Sequence, residues 1–218
     1  MGSDADVVAA VREGDLEKLQ ALISADATLA NARDENGVSA VLLAHYRRQS
    51  EMVKLLTSAK SQLDVFEAAA LGRPDELREG LQEDPSLIQA WSPDGFTALH
   101  LACFFGSEGA ARLLLERGAE VALPSRNSMR VTPLNSAAAS GQLAVVKMLL
   151  ERGAPVNAVQ HGGWAALHSA ANNGDVEMVK LLLAGGADRT LRSDDGRTAR
   201  DMALEAGHLD VKQILETV

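Results

Sequence analysis

A glycine that closes a run of small residues, followed by an apolar-periodic segment, recurs along this chain at nearly constant spacing. It appears as "AAVREG" at Gly14, "EAAALG" at Gly72, "LACFFG" at Gly106, "SAAASG" at Gly141, "SAANNG" at Gly174 and "ALEAG" at Gly207, while Arg48 of "LLAHYRR" holds the equivalent place. Successive anchors lie 34, 24, 34, 35, 33 and 33 residues apart. Such a period identifies a solenoid, in which each supersecondary unit buries its apolar face only against its neighbours. Aromatic residues are only 3% of the chain, so the core must be built mainly from Leu, Val and Ala, which suits close-packed helices.

Each unit reads as local chemistry. Ser39, Thr97, Thr132 and Thr198 precede their anchors by nine residues and are placed to cap a helix, accepting from its unpaired N–H groups. Pro133 follows its cap, where a missing N–H costs nothing. Paired small residues (Ala68 and Ala69, Ala137 and Ala138, Ala170 and Ala171) let neighbouring helices approach closely. The anchor takes the left-handed conformation that ends a helix, natural for glycine and costly for a residue with Cβ. A second helix follows with i, i+3, i+4 apolar spacing, as in Val146, Leu149, Leu150 and Val179, Leu182, Leu183. Three of these helices close on a Gly-Ala pair, at Gly118, Gly153 and Gly186, before a turn-rich connection.

The stretches "DGFTALHLACFFG", "VTPLNSAAASG" and "WAALHSAANNGDVEMVKLLLAGGAD" resemble the ankyrin repeat family, most closely in the last four units. The chain is identified as a bacterial-type member of about seven units. The expected fold is an all-α ankyrin-repeat solenoid of stacked helix-turn-helix units with short β-hairpin loops. The units fall approximately at 5–26, 38–58, 63–84, 97–119, 132–154, 165–187 and 198–218. The resemblance implies a curved scaffold that binds another protein or peptide in its concave groove and carries no catalytic activity.

Departures from the pattern carry their own expectations. The 24-residue step between Arg48 and Gly72 leaves no room for a hairpin between the second and third units. Units one and two match units three and four at a displacement of 58 residues, with Gly14, Asp26, Leu29, Gly37 and Ser39 answering to Gly72, Asp84, Leu87, Gly95 and Thr97. Ala165 replaces a capping hydroxyl, a loss of about 1 kcal/mol. Arg130 replaces the turn glycine in the longer connection "PSRNSMRVTPL", which is expected to be irregular.

The resemblance also implies which positions face a partner: the two residues before each anchor and the one before each cap. These give Tyr46, Arg47, Leu71, Phe104, Phe105, Ser140, Asn172 and Asn173, then Phe96, Val131 and Trp164, with Trp91 entering beside Phe96. Six of the seven aromatic residues thus fall on or beside the groove, and only Phe66 does not. A bare aromatic strip is an interface signature, since rings bury much area with few rotors. Packing of Phe96 and Trp164 on their own hairpins is the competing reading, and burial of the strip in a homodimer is another.

Other chemistry is sparse. The resemblance implies that His100 and His168 hydrogen-bond between units, with Asn135 in the same role, and that His208 is structural. His45 and His161 are expected to be solvated, and Cys103 buried and inert. A single cysteine excludes an internal disulfide, and no phosphate-loop, nucleophile-elbow or zinc motif is present, so neither cofactor, metal nor catalytic residue is expected. Arg189, Arg192, Arg197 and Arg200 cluster around Asp194 and Asp195, as a solvated capping face would. A net charge of −9 disfavours nucleic acid, and no run is long enough to span a membrane. The acidic N-terminus is unlike a secretory signal, and the protein is expected to be cytoplasmic, a monomer or weak homodimer. The alternative to a scaffold is a small-molecule binder or enzyme with a pocket at the Arg126–Arg130 loop or near Leu63.

Overall fold

Capped helices alternate with glycine turns along the whole chain. The computed structural model describes residues 2–217, with Thr217 as backbone only. Its fourteen α-helices are α1 (Asp4–Glu13), α2 (Leu16–Ala25), α3 (Ala40–Tyr46), α4 (Ser50–Ala59), α5 (Val65–Ala70), α6 (Pro74–Glu83), α7 (Ala98–Phe105), α8 (Glu108–Glu116), α9 (Pro133–Ala139), α10 (Leu143–Glu151), α11 (Ala166–Asn172), α12 (Val176–Ala184), α13 (Ala199–Glu205) and α14 (Leu209–Thr217). Odd-numbered helices pack against one another in one layer and even-numbered helices in the other. The architecture is an all-α solenoid, and no strand occurs among the described residues.

The caps form as the sequence demands. The side chains of Ser39, Thr97, Thr132 and Thr198 each accept the N–H three residues on. At Ala165 the backbone N–H donates to His168 Nδ1 at 3.0 Å, so the ring supplies some of what the missing hydroxyl does not. Gly106 ends α7 at φ 73°, and Arg48 adopts the same left-handed turn at φ 58° despite its Cβ.

The connections from even to odd helices are tight loops, here called fingers. Four close with a backbone hydrogen bond from residue i to i+4: Asp34 to Val38, Ser92 to Phe96, Gln160 to Trp164 and Ser193 to Arg197. The fifth, Ser125 to Val131, is two residues longer and turns through Arg130 at φ 50°. The expected β-hairpins are reduced to single antiparallel bridges, Arg33 with Ser39 and Arg192 with Thr198. Consecutive fingers are stitched by backbone bonds, as Arg126 N–H to the Gly95 carbonyl and His161 N–H to the Met129 carbonyl, both 2.9 Å.

Between α4 and α5 the finger is missing, and the array has a seam. α4 and α6 scarcely touch, unlike every other consecutive pair in their layer. The apolar core divides there: one cluster runs from Val7 to Leu56 and the other from Val65 to Leu215. Two devices close the gap. Lys60, its side chain 5% exposed, pairs at 2.9 Å with Glu67, which is fully buried and also accepts the Asp64 N–H at 3.0 Å. Outside it, Arg33 reaches Asp64 at 2.9 Å. With no finger between them, the loops on either side meet, and Gly37 lies against Pro93. The same 3-10 turn follows α2 (Ala27–Asn31) and α6 (Pro85–Gln89), with Asp26 and Asp84 capping each through its own Oδ1.

Candidate functional site

The seam decides where the aromatic residues go. Val38, Leu42, Ala70 and Leu101 form a small third core cluster, and Tyr46, Phe66, Phe96 and Phe105 pack on it. Phe66, expected to stand apart, is therefore a member of the aromatic group. Phe105 is half-buried, 4.0 Å between centroids from the ring of His45 and 5.4 Å from that of Tyr46. His45 is accordingly only partly solvated: its ring lies tilted against Phe105 and its Nε2 is 3.3 Å from the Ala70 carbonyl. Burial draws its pKa below the ordinary value, against that carbonyl bond.

Tyr46 crosses the seam. Its hydroxyl donates to Asp94 Oδ2 at 2.8 Å, joining α3 to the finger two units on, and Asp94 also accepts from the Ser92 hydroxyl. Burial raises the phenol pKa, with the Asp94 charge adding to it. Phe104 differs from its neighbour. It sits edge-on to Phe105 at 5.0 Å and remains 43% exposed. The sequence treats the pair alike; the helix turn points one ring into the seam and leaves the other outside.

Beside Phe104 opens an apolar pocket of about 350 Å³. Tyr46, Phe96 and Phe104 form one side, Leu101 and Val131 contribute apolar surface, and Met129, Ser136, Ala139 and Gln160 also line it. Met129 and Gln160 are not marked by the repeat pattern; the only hint is that Met129 precedes Arg130 in the longer finger. Gln160 Oε1 is buried and has no hydrogen-bond partner.

Two further pocket-lining groups are already engaged. His100 is 1% exposed; its Nδ1 accepts from Thr97 and its Nε2 lies 3.0 Å from the Val131 carbonyl of the next finger. Burial holds its pKa down at about 4, so the imidazole is neutral and both nitrogens are occupied. Asn135 has the same role in the following unit, bonding Thr132 and the carbonyls of Ala158 and Trp164 at 3.2 and 3.3 Å. His168 Nε2 reaches the Leu191 carbonyl at 3.1 Å, and His208 Nε2 the Asn172 carbonyl at 3.1 Å. Cys103 is fully buried, and burial raises its thiol pKa.

The remaining expected interface positions are scattered. Leu71 packs on the N-terminal core cluster. Trp91 lies outside the pocket, under the Arg126 guanidinium at 4.5 Å. Trp164 packs near His168, as Phe96 does near His100. Arg47 and Asn172 are exposed, Ser140 ends α9, and Asn173 donates to the Ala139 carbonyl at 3.1 Å. Open clefts of about 550 and 570 Å³ lie at the Arg126–Arg130 loop and beside Leu63. Arg197 and Arg200 are neutralised by Asp195, Glu205 and Glu216, as a capping face requires.

A family model for ankyrin repeats (3 copies) matches residues 7–124, 65–160 and 154–216. The chain belongs to the ankyrin-repeat family. Among similar proteins, the Transient receptor potential cation channel subfamily A member 1 homolog of Caenorhabditis elegans is 30% identical over 193 residues, 85% of this ankyrin chain and 16% of that protein. The B-cell lymphoma 3 protein homolog of Mus musculus is 44% identical over 75 residues, 34% of this chain and 16% of that protein. The ankyrin chain thus spans about a sixth of the length of each. Ankyrin repeats are generally protein-interaction modules, and the family is generally non-enzymatic. No helix among the described residues is long and apolar enough to cross a membrane.

Proposed function

We propose that this chain is a non-catalytic ankyrin scaffold that holds a partner protein or peptide in the angle between its odd-helix layer and its fingers, centred on Phe104. The observation that supports the reading best is the pocket of about 350 Å³ beside a phenylalanine that is 43% exposed. A ring left in water next to an apolar hollow gains by being covered, at about 25 cal/mol per Å² removed. Phe105 belongs to the fold rather than to the interface, so the informative change is Phe104→Ala alone.

Affinity purification from the native host, with wild type and Phe104→Ala side by side, tests this. The substitution is expected to leave thermal stability within about 0.5 kcal/mol, as for an exposed side chain, and to abolish recovery of the partner. Equal recovery by both proteins refutes the proposed interface.

An enzyme at this pocket is disfavoured by His100. It is the pocket's titratable imidazole, and both its nitrogens are bound within the fold. No activated base is left for a reaction to use. The homodimer alternative is distinguished by the mass in solution.

A further inference from the structure

The five fingers do not carry the same charge. Asp34 and Glu35 give −2 to residues 34–38, Asp94 gives −1 to 92–96, and Asp194, Asp195 and Arg197 leave −1 on 193–197, while 160–164 has no charged residue besides a neutral His161. The longer finger, 125–131, is opposite: Arg126 and Arg130 make it +2, in a chain of net charge −9. Its turn is nevertheless the common one. The Ser125 hydroxyl donates to Asn127 Oδ1 at 2.8 Å, as that of Ser92 does to Asp94 and that of Ser193 to Asp195. An amide thus fills the place that a carboxylate holds in two sibling fingers, and the charge that would neutralise the arginines is gone.

Neither arginine finds that charge elsewhere. Arg12, Arg33 and Arg197, which lie in or against other fingers, are each ion-paired. Arg126 and Arg130 are exposed, and neither has a carboxylate within ion-pair distance among the described residues. Together with Trp91, Leu123, Pro124 and Ser128 they line the open cleft of about 550 Å³, and no acid is among its lining residues. Asp94 borders the adjoining cleft, with its two oxygens engaged by the hydroxyls of Ser92 and Tyr46.

The backbone under the two arginines is pinned. Arg126 donates its N–H to the Gly95 carbonyl at 2.9 Å, and its guanidinium lies 4.5 Å over the Trp91 ring. Asn127 Nδ2 donates to the Asp94 carbonyl at 3.0 Å, and its Oδ1 accepts the Met129 N–H at 3.1 Å. A guanidinium fork matches a carboxylate with two parallel bonds, and a loop ordered beforehand lowers the cost of making them.

From this reversal of charge on one built finger, we infer that the cleft, separate from the Phe104 pocket, docks a short acidic segment of a partner protein. Its Asp or Glu carboxylates pair with Arg126 and Arg130, and an apolar neighbour rests on Leu123 and Pro124. A long polyanion such as a nucleic acid fits worse, because its remaining charge faces the acidic rest of the chain. The inference rests on the scaffold reading above but not on the pocket.

A random-peptide phage library panned on the purified full chain tests it, with enriched peptides synthesised and titrated by fluorescence anisotropy beside a single-stranded oligonucleotide. The expected consensus is rich in Asp and Glu, with binding weakened by salt. Arg126→Gln with Arg130→Gln is expected to weaken it at least about tenfold. Ser128→Glu, at an exposed position in the cleft, supplies a competing carboxylate and is expected to weaken it about fivefold, while Ser128→Gln leaves it unchanged. Circular dichroism verifies that the variants fold. Peptides that ignore both the arginine changes and Ser128→Glu would overturn the cleft; if they depend on Phe104, the scaffold reading stands. A basic or uncharged consensus, or tighter binding of the oligonucleotide than of any peptide, would also overturn the cleft. Absence of any peptide sensitive to the arginine changes or to Phe104→Ala would overturn both readings.

Discussion

Replacing His100 by Asn should flatten the acid side of the stability curve. The internal precedent is Asn135, which already holds the equivalent place with a bond to its capping Thr132 and two to the following segment. The wild-type imidazole has a folded pKa of about 4 against an ordinary 6.5, chiefly because it is buried. A depressed folded pKa means that the unfolded chain takes up the proton first. The stability is therefore whole above pH 6.5 and is lost as pH falls from 6.5 toward 4. Linkage puts that loss at about 2 kcal/mol by pH 5 and about 3 kcal/mol by pH 4. Asn cannot titrate and escapes it. Urea unfolding followed by far-UV circular dichroism, from pH 7.5 to 4, is the assay. At pH 7.5 the variant should be less stable by about 1–3 kcal/mol, from lost packing against Trp91 and Phe96. That deficit should shrink, by about 3 kcal/mol, as the pH reaches 4. The carboxylates, His45 and His168 titrate in both proteins and cancel in the difference. A deficit that stays constant over the range would refute the argument.

Ala165→Thr restores the hydroxyl present at the other caps of this class and should stabilise the protein by about 1 kcal/mol in the same assay. Glu67→Gln leaves Lys60 charged and buried without its partner, and should destabilise by about 3–5 kcal/mol; the double change Lys60→Met with Glu67→Leu should recover most of that loss. Arg48→Gly relieves a left-handed residue but loosens the unfolded chain, so the net gain in thermal unfolding should be no more than about 1 kcal/mol.

The repeat frame is legible because each of its elements is local: a hydroxyl that caps, an alanine pair that allows contact, a turn that needs positive φ. Even Arg48, a residue ill suited to that turn, is placed correctly by spacing alone. The short step after it also announces the missing finger. What spacing does not convey is how the gap is closed. Tyr46 and Asp94 are 48 residues apart, and they meet only because Gly37 and Pro93 are brought together once no loop separates them. Burial of Phe105, Phe66 and His45 follows from that three-dimensional closure, which is why the aromatic strip read along the groove proves to be one exposed ring and several inward ones. Gln160 sits at an ordinary turn position, so nothing in its neighbours' identities distinguishes it; only the depth of its amide in the fold does.

At the seam near Lys60 the core narrows to the small cluster of Val38, Leu42, Ala70 and Leu101, with the Tyr46 phenol as a polar tie beside it. Since Tyr46 is also a wall of the pocket, whatever lodges there bears on both sides of the seam. A change that displaces the Tyr46 ring therefore alters the pocket wall and the bond to Asp94 together.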